Sequence, residues 1–141
     1  MPKSGPIIIV EDDRDDQELM KEIFGELKVP NVIKFFNSCI KVLEYLRTTL
    51  ERPFLIISDI NVPVMTGIQM REEINAQECG YLKRIPFVFL TTTAEQSSVM
   101  AAFDRCAQGY FVKPTSIQEL KDMLRLIIDY WSVSRHPNLE I

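Results

Sequence analysis

Five short, mostly apolar runs occur along the chain, and longer segments of mixed polarity separate them. The runs are too short for helices, and they do not alternate strictly. This pattern is typical of strands buried on both faces of a parallel sheet. The intervening segments repeat apolar residues at helical spacing. We predict strands at residues 6–10, 32–36, 54–57, 86–90 and 110–112, with a helix after each.

Residues that commonly cap helices mark the start of four of the five predicted helices. These caps are Asn37 or Ser38, Thr66 with Gln69, Thr92 with Glu95, and Ser116 with Glu119. We predict buried helix faces that include Leu50 in the second helix, Phe103 and Cys106 in the fourth, and Ile117 in the last. Residues 78–85 form a longer connector than the others.

Strict alternation of strands and helices predicts right-handed crossovers and a parallel sheet with helices on both faces. Five units suit an open sheet better than a closed barrel, which needs about eight. We therefore predict a three-layer, doubly wound (βα)5 α/β fold of flavodoxin-like architecture, with strand order 2-1-3-4-5. The length of 141 residues predicts one domain, with a core at 6–130 and a C-terminal helix extension and polar tail at 131–141.

Acidic residues follow the first and third strands. Glu11 and Asp12 come after the first strand, and Asp59 comes after the third. In the predicted order these strands are neighbours, and open α/β sheets bind ligands at this edge. Carboxylates within a few ångströms repel one another, so one must bind a proton or a cation must be present. Ligands that are all oxygen favour a hard cation such as Mg²⁺.

The acidic run continues into the first predicted helix. Asp13, Asp15 and Asp16 occupy its first turn, where acidic side chains cap free N–H groups and complement the helix dipole. We assign these three residues to that local role.

Two more polar residues end the fourth and fifth strands. Lys113 precedes Pro114, which restricts the lysine backbone, and its ammonium can reach the same edge of the sheet. Thr92 supplies a cap pattern, so Thr91 is free to face the crevice. A central aspartate with an acidic pair, a hydroxyl and a lysine predicts a carboxylate nucleophile that receives a phosphoryl group.

Residues 7–130 resemble the receiver domain of bacterial two-component response regulators, of the single-domain chemotaxis type. Each motif alone is weak, but their order at the ends of strands one, three, four and five is specific. The motifs are Val10-Glu11-Asp12-Asp13, the segment from Asp59 through Pro63 to Gly67, Leu90-Thr91, and Tyr110-Phe111-Val112-Lys113-Pro114.

This resemblance implies that Asp59 accepts a phosphoryl group from a histidine kinase or a histidine phosphotransfer protein. It also implies Mg²⁺, or Mn²⁺ in its place, bound by Asp12, Asp59 and the backbone carbonyl of Asn61. Glu11, which stands where Asp is commoner, would hold a coordinated water. A protein of this kind takes part in its own phosphorylation and autodephosphorylation, and we expect no turnover of an external substrate.

The resemblance further implies a switch. Thr91 would move toward the phosphoryl group and Tyr110 would swing inward. These movements would change the face of the fourth predicted helix, the fifth strand and the last helix, which meets a downstream protein. Residues at the positions of Asn61 and Thr93 tune hydrolysis in this family. Thr92 stands where Ala or Gly is usual, and we expect it to slow phosphorylation by small donors.

The last predicted helix carries a second apolar row, Met123, Leu126 and Tyr130, beside its core stripe. A helix that is apolar on two sides usually buries both, so this row either fringes the core or forms a homodimer or partner surface. The long connector and the Tyr130-Trp131 pair also resemble the branch that works with bacterial phytochromes. Few residues follow the helix, which predicts signalling by protein contact without an output domain.

Composition excludes several classes of function. The net charge of −4 provides no basic stripe for nucleic acid. Three cysteines without metal spacing predict reduced thiols and a cytoplasmic location, and the chain has neither a signal peptide nor a long apolar stretch.

Three rival functions use a similar fold. A phosphatase of the haloacid dehalogenase type needs a second Asp two residues after the nucleophile, where this chain has Asn61. A phosphate-independent pseudo-receiver usually lacks the Asp, the Lys or the acidic pair, and all are present here. A flavodoxin-like binder cradles phosphate in a Ser/Thr/Gly loop after the first strand. Glu11, Asp12 and Asp13 occupy that loop and would repel phosphate.

Overall fold

Five parallel strands form one sheet in the order β2-β1-β3-β4-β5, which confirms the predicted topology. The computed structural model describes residues 5–77 and 80–137. The strands are β1 (Ile7–Val10), β2 (Ile33–Phe36), β3 (Leu55–Ser58), β4 (Phe87–Thr91) and β5 (Gly109–Val112). The helices are α1 (Arg14–Leu27), α2 (Cys39–Thr48), α3 (Gly67–Asn75), α4 (Gly80–Arg84), α5 (Gln96–Asp104) and α6 (Ile117–Val133).

The central strands are buried on both faces, as their unbroken apolar runs predict. All residues of β1, β3 and β4 are buried. Alternate side chains enter two separate cores: Ile8 and Ile56 pack with α2, α3 and α5, while Ile7 and Ile57 pack with α1 and α6. The sheet therefore lies between two helical layers, and the three-layer doubly wound fold is confirmed.

One predicted connector and one predicted helix cap differ from the structure. The connector at 78–85 contains the short helix α4, while residues 78 and 79 lie outside the described part of the chain. The predicted cap of Thr92 with Glu95 is wrong, because α5 begins at Gln96 and Glu95 makes no side-chain cap bond. Thr93 is held out of the helix by contacts with the loop after β3 and with β5, described below.

Several side chains predicted to be buried are exposed. Helix α2 ends at Thr48, so Leu50 lies beyond it and is 100% exposed. Phe103 and Ile117 are 51% and 61% exposed, and Cys106 is also exposed. These residues lie at or near helix ends, where the turn of the chain carries side chains away from the sheet.

The chain after α6 folds back onto the sheet, contrary to the polar tail predicted there. His136 is buried, its ring stacks on Phe54 with centroids 4.8 Å apart, and its Nε2 lies 2.6 Å from the Phe54 carbonyl oxygen. Residues 138–141 lie outside the described part. None of the helices in residues 5–77 and 80–137 is long and apolar enough to cross a membrane.

Candidate functional site

The backbone brings the ends of β1, β3 and β5 to one crevice. Val10 is the register partner of Ser58, and Asp59 N donates to the Val10 carbonyl at 3.0 Å, so Glu11 and Asp59 leave adjacent strands side by side. Lys113 N donates to the Thr91 carbonyl at 2.8 Å, which places the lysine beyond the edge of β4. The predicted meeting of the carboxyl ends is confirmed in this geometry.

The Lys113 ammonium lies at the centre of the site. Its Nζ is 2.5 Å from Glu11 Oε1, 3.1 Å from Asp59 Oδ2 and 3.1 Å from Asp16 Oδ2. The lysine side chain is only 9% exposed. Three carboxylates therefore surround one cation in a mostly buried crevice.

Burial and charge shift the pKa values of this cluster. Desolvation raises the pKa of Glu11 from 4.5 to about 6, while the hydrogen bond and the charge of Lys113 limit that rise. Burial by itself lowers the pKa of Lys113, but the bond and charge of Glu11 together with the charge of Asp59 outweigh burial and raise the pKa overall. The neighbouring carboxylates therefore stabilise the charged form of Lys113.

Asp16 is a site residue that its sequence position does not reveal. Asp13 alone caps α1, because its Oδ1 accepts from Asp15 N at 2.9 Å and from Asp16 N at 3.1 Å. The Asp16 carboxylate instead turns toward Lys113. Our assignment of Asp16 to the helix end is therefore incomplete. No sequence signal distinguishes Asp16, because an aspartate in the first turn of a helix already has a local explanation.

The acidic pair splits between two environments. Glu11 is buried against Lys113, whereas Asp12 is exposed. Burial raises the pKa of the Cys39 thiol to about 12, and the charges of Asp59 and then Asp12 add to the rise. The charges of Asp59 and Asp12 therefore both act on the Cys39 thiol, from the same end of the sheet.

The side chains of the site are too few to bind a divalent cation unless the backbone and water supply further oxygen ligands. No three His, Cys, Asp or Glu side chains of the described residues converge tightly enough to hold a metal by themselves. Mg²⁺ retains several waters and needs only one or two carboxylates. Asp12 and Asp59, with the backbone carbonyl of Asn61, are the groups that could hold it. Asp59 Oδ1 already accepts from Asn61 N at 3.1 Å, so the loop folds closely around the carboxylate.

The β4–α5 loop connects the predicted switch and hydrolysis-tuning residues. Thr91 is fully buried, and its Oγ1 accepts from Thr93 N at 3.4 Å. Asn61 Nδ2 donates to Thr93 Oγ1 at 2.9 Å, and Tyr110 Oη donates to the Thr93 carbonyl at 2.6 Å. Tyr110 is half-buried against Phe89, and burial raises its pKa. Thr93 therefore links the loop after Asp59 to β5.

The loop after β3 is tightly constrained. A Cβ at Gly67 would lie 2.3 Å from the Asp59 carbonyl oxygen, so only glycine fits where α3 begins beside the crevice. Val64 in the same loop has φ 71°, a left-handed conformation that is strained for a β-branched residue, and its side chain is 91% exposed. The site carboxylate is thus held by a close-packed and partly strained turn.

The residues of the second apolar row on α6 differ in how far they are exposed. Met123 is half-buried and packs against the core, which agrees with the alternative that this row fringes the core. Leu126 and Tyr130 are 64% and 60% exposed. They border a groove of about 290 Å³ that also contains Phe111 of β5 and Trp131.

An aspartate at the switch point of a parallel 2-1-3-4-5 sheet, joined through a mostly buried lysine to a buried glutamate, is the arrangement of a receiver domain. The chain belongs to the response regulator receiver domain family, whose model matches residues 7–125. Response regulator Rcp1 of Synechocystis sp. is 28% identical over 130 residues, which cover 89% of this chain and 87% of Rcp1.

Two solved structures share the fold closely. The phosphorylated cyanobacterial phytochrome response regulator RcpA superposes with a TM-score of 0.85 and 27% identity, covering 94% of this chain and 98% of RcpA. The Mn²⁺-bound form of Rcp1 superposes with a TM-score of 0.82 and 26% identity, covering 94% of this chain and 99% of that one. The predicted likeness to receiver domains and to phytochrome-associated regulators is confirmed.

Proposed function

We propose that Asp59 accepts a phosphoryl group from a histidine kinase or a histidine phosphotransfer protein. The observation that carries this proposal is the Lys113 ammonium 3.1 Å from Asp59 Oδ2 in a crevice lined by other carboxylates. A carboxylate oxygen of Asp59 bonds to phosphorus as the phosphorus–nitrogen bond of the phosphohistidine breaks. The released imidazole nitrogen takes up a proton, and Lys113 binds a phosphoryl oxygen.

The proposed cofactor is Mg²⁺, with Mn²⁺ able to replace it. Asp12, Asp59 and the Asn61 carbonyl would hold the ion, and Glu11 would orient one of its waters. The bound ion supplies neutralisation of charge on the phosphoryl oxygens. The Mn²⁺-bound structure of Rcp1 supports this assignment by its similarity to this chain. The buried Glu11 carboxylate is held in place by Lys113, so it would be available to bind a water of the ion.

The proposed output is a change in the face formed by α5, β5 and α6. Thr91 would reach toward the phosphoryl group, and the Thr93 segment would follow because its N–H bonds to the Thr91 hydroxyl. Tyr110 is bonded to the Thr93 carbonyl, so phosphorylation would hold this ring inward. Asn61 and Thr93, which bond to each other, would set the lifetime of the phosphoryl group.

The proposed partner of α6 is a second copy of the chain. Leu126 and Tyr130 expose apolar surface continuous with Phe111, which is the neighbour of Tyr110 on β5. A homodimer through this surface would therefore be coupled to the switch. Light scattering before and after phosphorylation tests this idea. Leu126→Glu is the disrupting variant, and Leu50→Glu, at a fully exposed residue beyond the end of α2, is the control.

The domain is proposed to act as a stand-alone cytoplasmic regulator that signals by protein contact, without nucleic acid or membrane. Support comes from Rcp1, which the chain matches over 87% of its length. The phosphatase alternative is disfavoured because the side chain two residues after Asp59 is the Asn61 amide, which donates to Thr93 Oγ1 and cannot act as a general acid. The pseudo-receiver alternative is disfavoured by the assembled contacts of Lys113 with Glu11 and Asp59.

The experiment is incubation with Mg²⁺ and acetyl phosphate followed by intact-mass measurement. We expect one added phosphoryl group in the native protein, none when EDTA removes the metal, and none in Asp59→Asn. Steady release of phosphate without incorporation would instead indicate a phosphatase. Native protein that remains unmodified would contradict the proposal.

A further inference from the structure

The proposed transfer leaves one carboxylate beside the crevice without a role. Asp16 lies in the first turn of α1, and its Oδ2 is 3.1 Å from Lys113 Nζ. Asp13 already caps this helix, so the Asp16 side chain is not needed there. The Asp16 side chain is 41% exposed, and holding a long lysine beside it has an entropic cost that a purely surface contact rarely offsets.

The number of carboxylates around Lys113 matches the number of hydrogens on its ammonium. Each of the three N–H groups has one carboxylate partner: Glu11, Asp16 or Asp59. Glu11 directly follows β1 and Asp16 lies in the first turn of α1, whereas Asp59 follows β3. The ammonium is therefore held from two sides.

Phosphorylation changes only one of these contacts. When an Asp59 oxygen bonds to phosphorus and an acyl phosphate forms, the N–H that served Asp59 becomes available to a phosphoryl oxygen. One anchor would leave the ammonium free to rotate about the last bond of the side chain. Two anchors fix the direction of the third N–H, which is the preorganisation that transition-state stabilisation requires.

We propose that Asp16 is a positioning residue which, together with Glu11, holds the Lys113 ammonium so that its third N–H points at the reacting oxygens of Asp59. This inference rests on the proposed phosphoacceptor function. Asp16 acts through Lys113 and touches no reacting atom. Its carboxylate charge and reach are both required, because the anchor is a charge-assisted hydrogen bond.

The kinetic test compares two neighbouring aspartates that carry the same charge. Asp16→Ala removes the anchor, and Asp15→Ala removes an exposed carboxylate from the same helical turn. Phosphorylation is followed by intact mass over a range of acetyl phosphate concentrations at saturating Mg²⁺. We expect Asp16→Ala to lower the maximal rate by roughly fivefold, the loss of one partly exposed charged hydrogen bond. The half-saturating donor concentration should change little.

Two comparisons distinguish positioning from a general loss of negative charge. Asp15→Ala should keep the native maximal rate, and Asp16→Glu should recover most of it because the longer side chain still reaches Lys113. Equal maximal rates for Asp16→Ala and Asp15→Ala would overturn the inference, as would an effect confined to the donor concentration at half saturation.

A spectroscopic measurement tests the anchor without any phosphoryl transfer. In metal-free ¹⁵N-labelled protein, the Lys113 ammonium should give a slowly exchanging ¹H–¹⁵N signal that Lys113→Met lacks. We expect Asp16→Ala to broaden or remove this signal and Asp15→Ala to retain it. An unchanged signal in Asp16→Ala would overturn the inference. If the native protein accepts no phosphoryl group at all, the proposed function fails, and this signal still decides whether Asp16 holds Lys113.

Discussion

Replacing Lys113 with methionine should destabilise the protein in a way that depends on pH. The variant keeps most of the side-chain volume and leaves Glu11 and Asp59, which are 3% and 10% exposed, without their cation. Breaking a buried ion pair by removing one partner costs about 3–5 kcal/mol. We expect a loss of about 3 kcal/mol at about pH 8, the lower end of that range, because the crevice opens to water.

The pH dependence follows from the pKa of Glu11, which is 4.5 in its ordinary state and about 6 in the folded protein. A carboxyl with a raised pKa binds its proton more tightly in the folded state, so its contribution to stability falls as pH rises from 4.5 through about 6. At about 1.4 kcal/mol per tenfold change in proton affinity, this loss is about 2 kcal/mol in the native protein.

Without Lys113 the pKa of Glu11 should rise further, because the lysine bond and charge lower it. The folded variant then takes up a proton nearer neutrality, which removes the uncompensated charge. We therefore expect the difference in unfolding free energy between native protein and variant to shrink to about 1 kcal/mol at about pH 5.

Urea unfolding in EDTA, followed by fluorescence of the single tryptophan, Trp131, and by far-UV circular dichroism, measures both values. Lys121→Met is the control, because Lys121 pairs with Glu26 at 3.1 Å across an exposed surface. It should cost less than about 0.5 kcal/mol at either pH. A Lys113→Met loss that is below about 1 kcal/mol at about pH 8, or equal at both pH values, would refute the reasoning.

Three other substitutions test separate parts of the structure. Val64→Asn should raise the unfolding free energy by about 1 kcal/mol, since Asn tolerates the left-handed backbone; an equal or lower value contradicts the strain. His136→Ala should lower it by roughly 2 kcal/mol through the lost stacking and hydrogen bond, and His136→Phe, which retains the stacking on Phe54, should lower it less. Thr92→Ala should speed phosphorylation by acetyl phosphate about threefold if the exposed Thr92 side chain hinders donors. An unchanged initial rate would exclude that hindrance.

The sheet and the centre of the site could be predicted because they depend on short-range signals. Unbroken apolar runs identify the strands, and strict alternation with helices then fixes which carboxyl ends meet. Asp59 and Lys113 therefore come together in the structure as expected, although they are 54 residues apart. Glu11 could be assigned to the site from its position after β1 alone, because β1 lies next to β3 in the predicted order.

Asp16 and Thr93 illustrate what local pattern could not provide. An aspartate in a first helical turn has a sufficient local explanation, so nothing nearby indicates a contact with a lysine 97 residues away. The sequence at Thr92 matches a cap pattern, but no helix begins there. Thr93 bonds instead to Asn61 and Tyr110 and stays outside the helix. Tertiary contacts determine both outcomes.

Two further elements were too weakly encoded to predict. Helix α4 has five residues, less than the span over which helical periodicity can be recognised. His136 looks like part of a polar tail, and its burial depends on an exact return of the chain to Phe54. Packing against the rest of the fold, rather than local conformational preference, determines the structure of α4 and the position of His136.

The central claim is that Asp59 itself carries the phosphoryl group. Protein treated with Mg²⁺ and acetyl phosphate can be reduced with borohydride, which converts an aspartyl phosphate to homoserine, and then digested for peptide mass spectrometry. We predict homoserine at position 59 and at no other aspartate, and none without metal. Reduction at a different residue, or unaltered Asp59 in protein that has gained a phosphoryl group, would contradict the account.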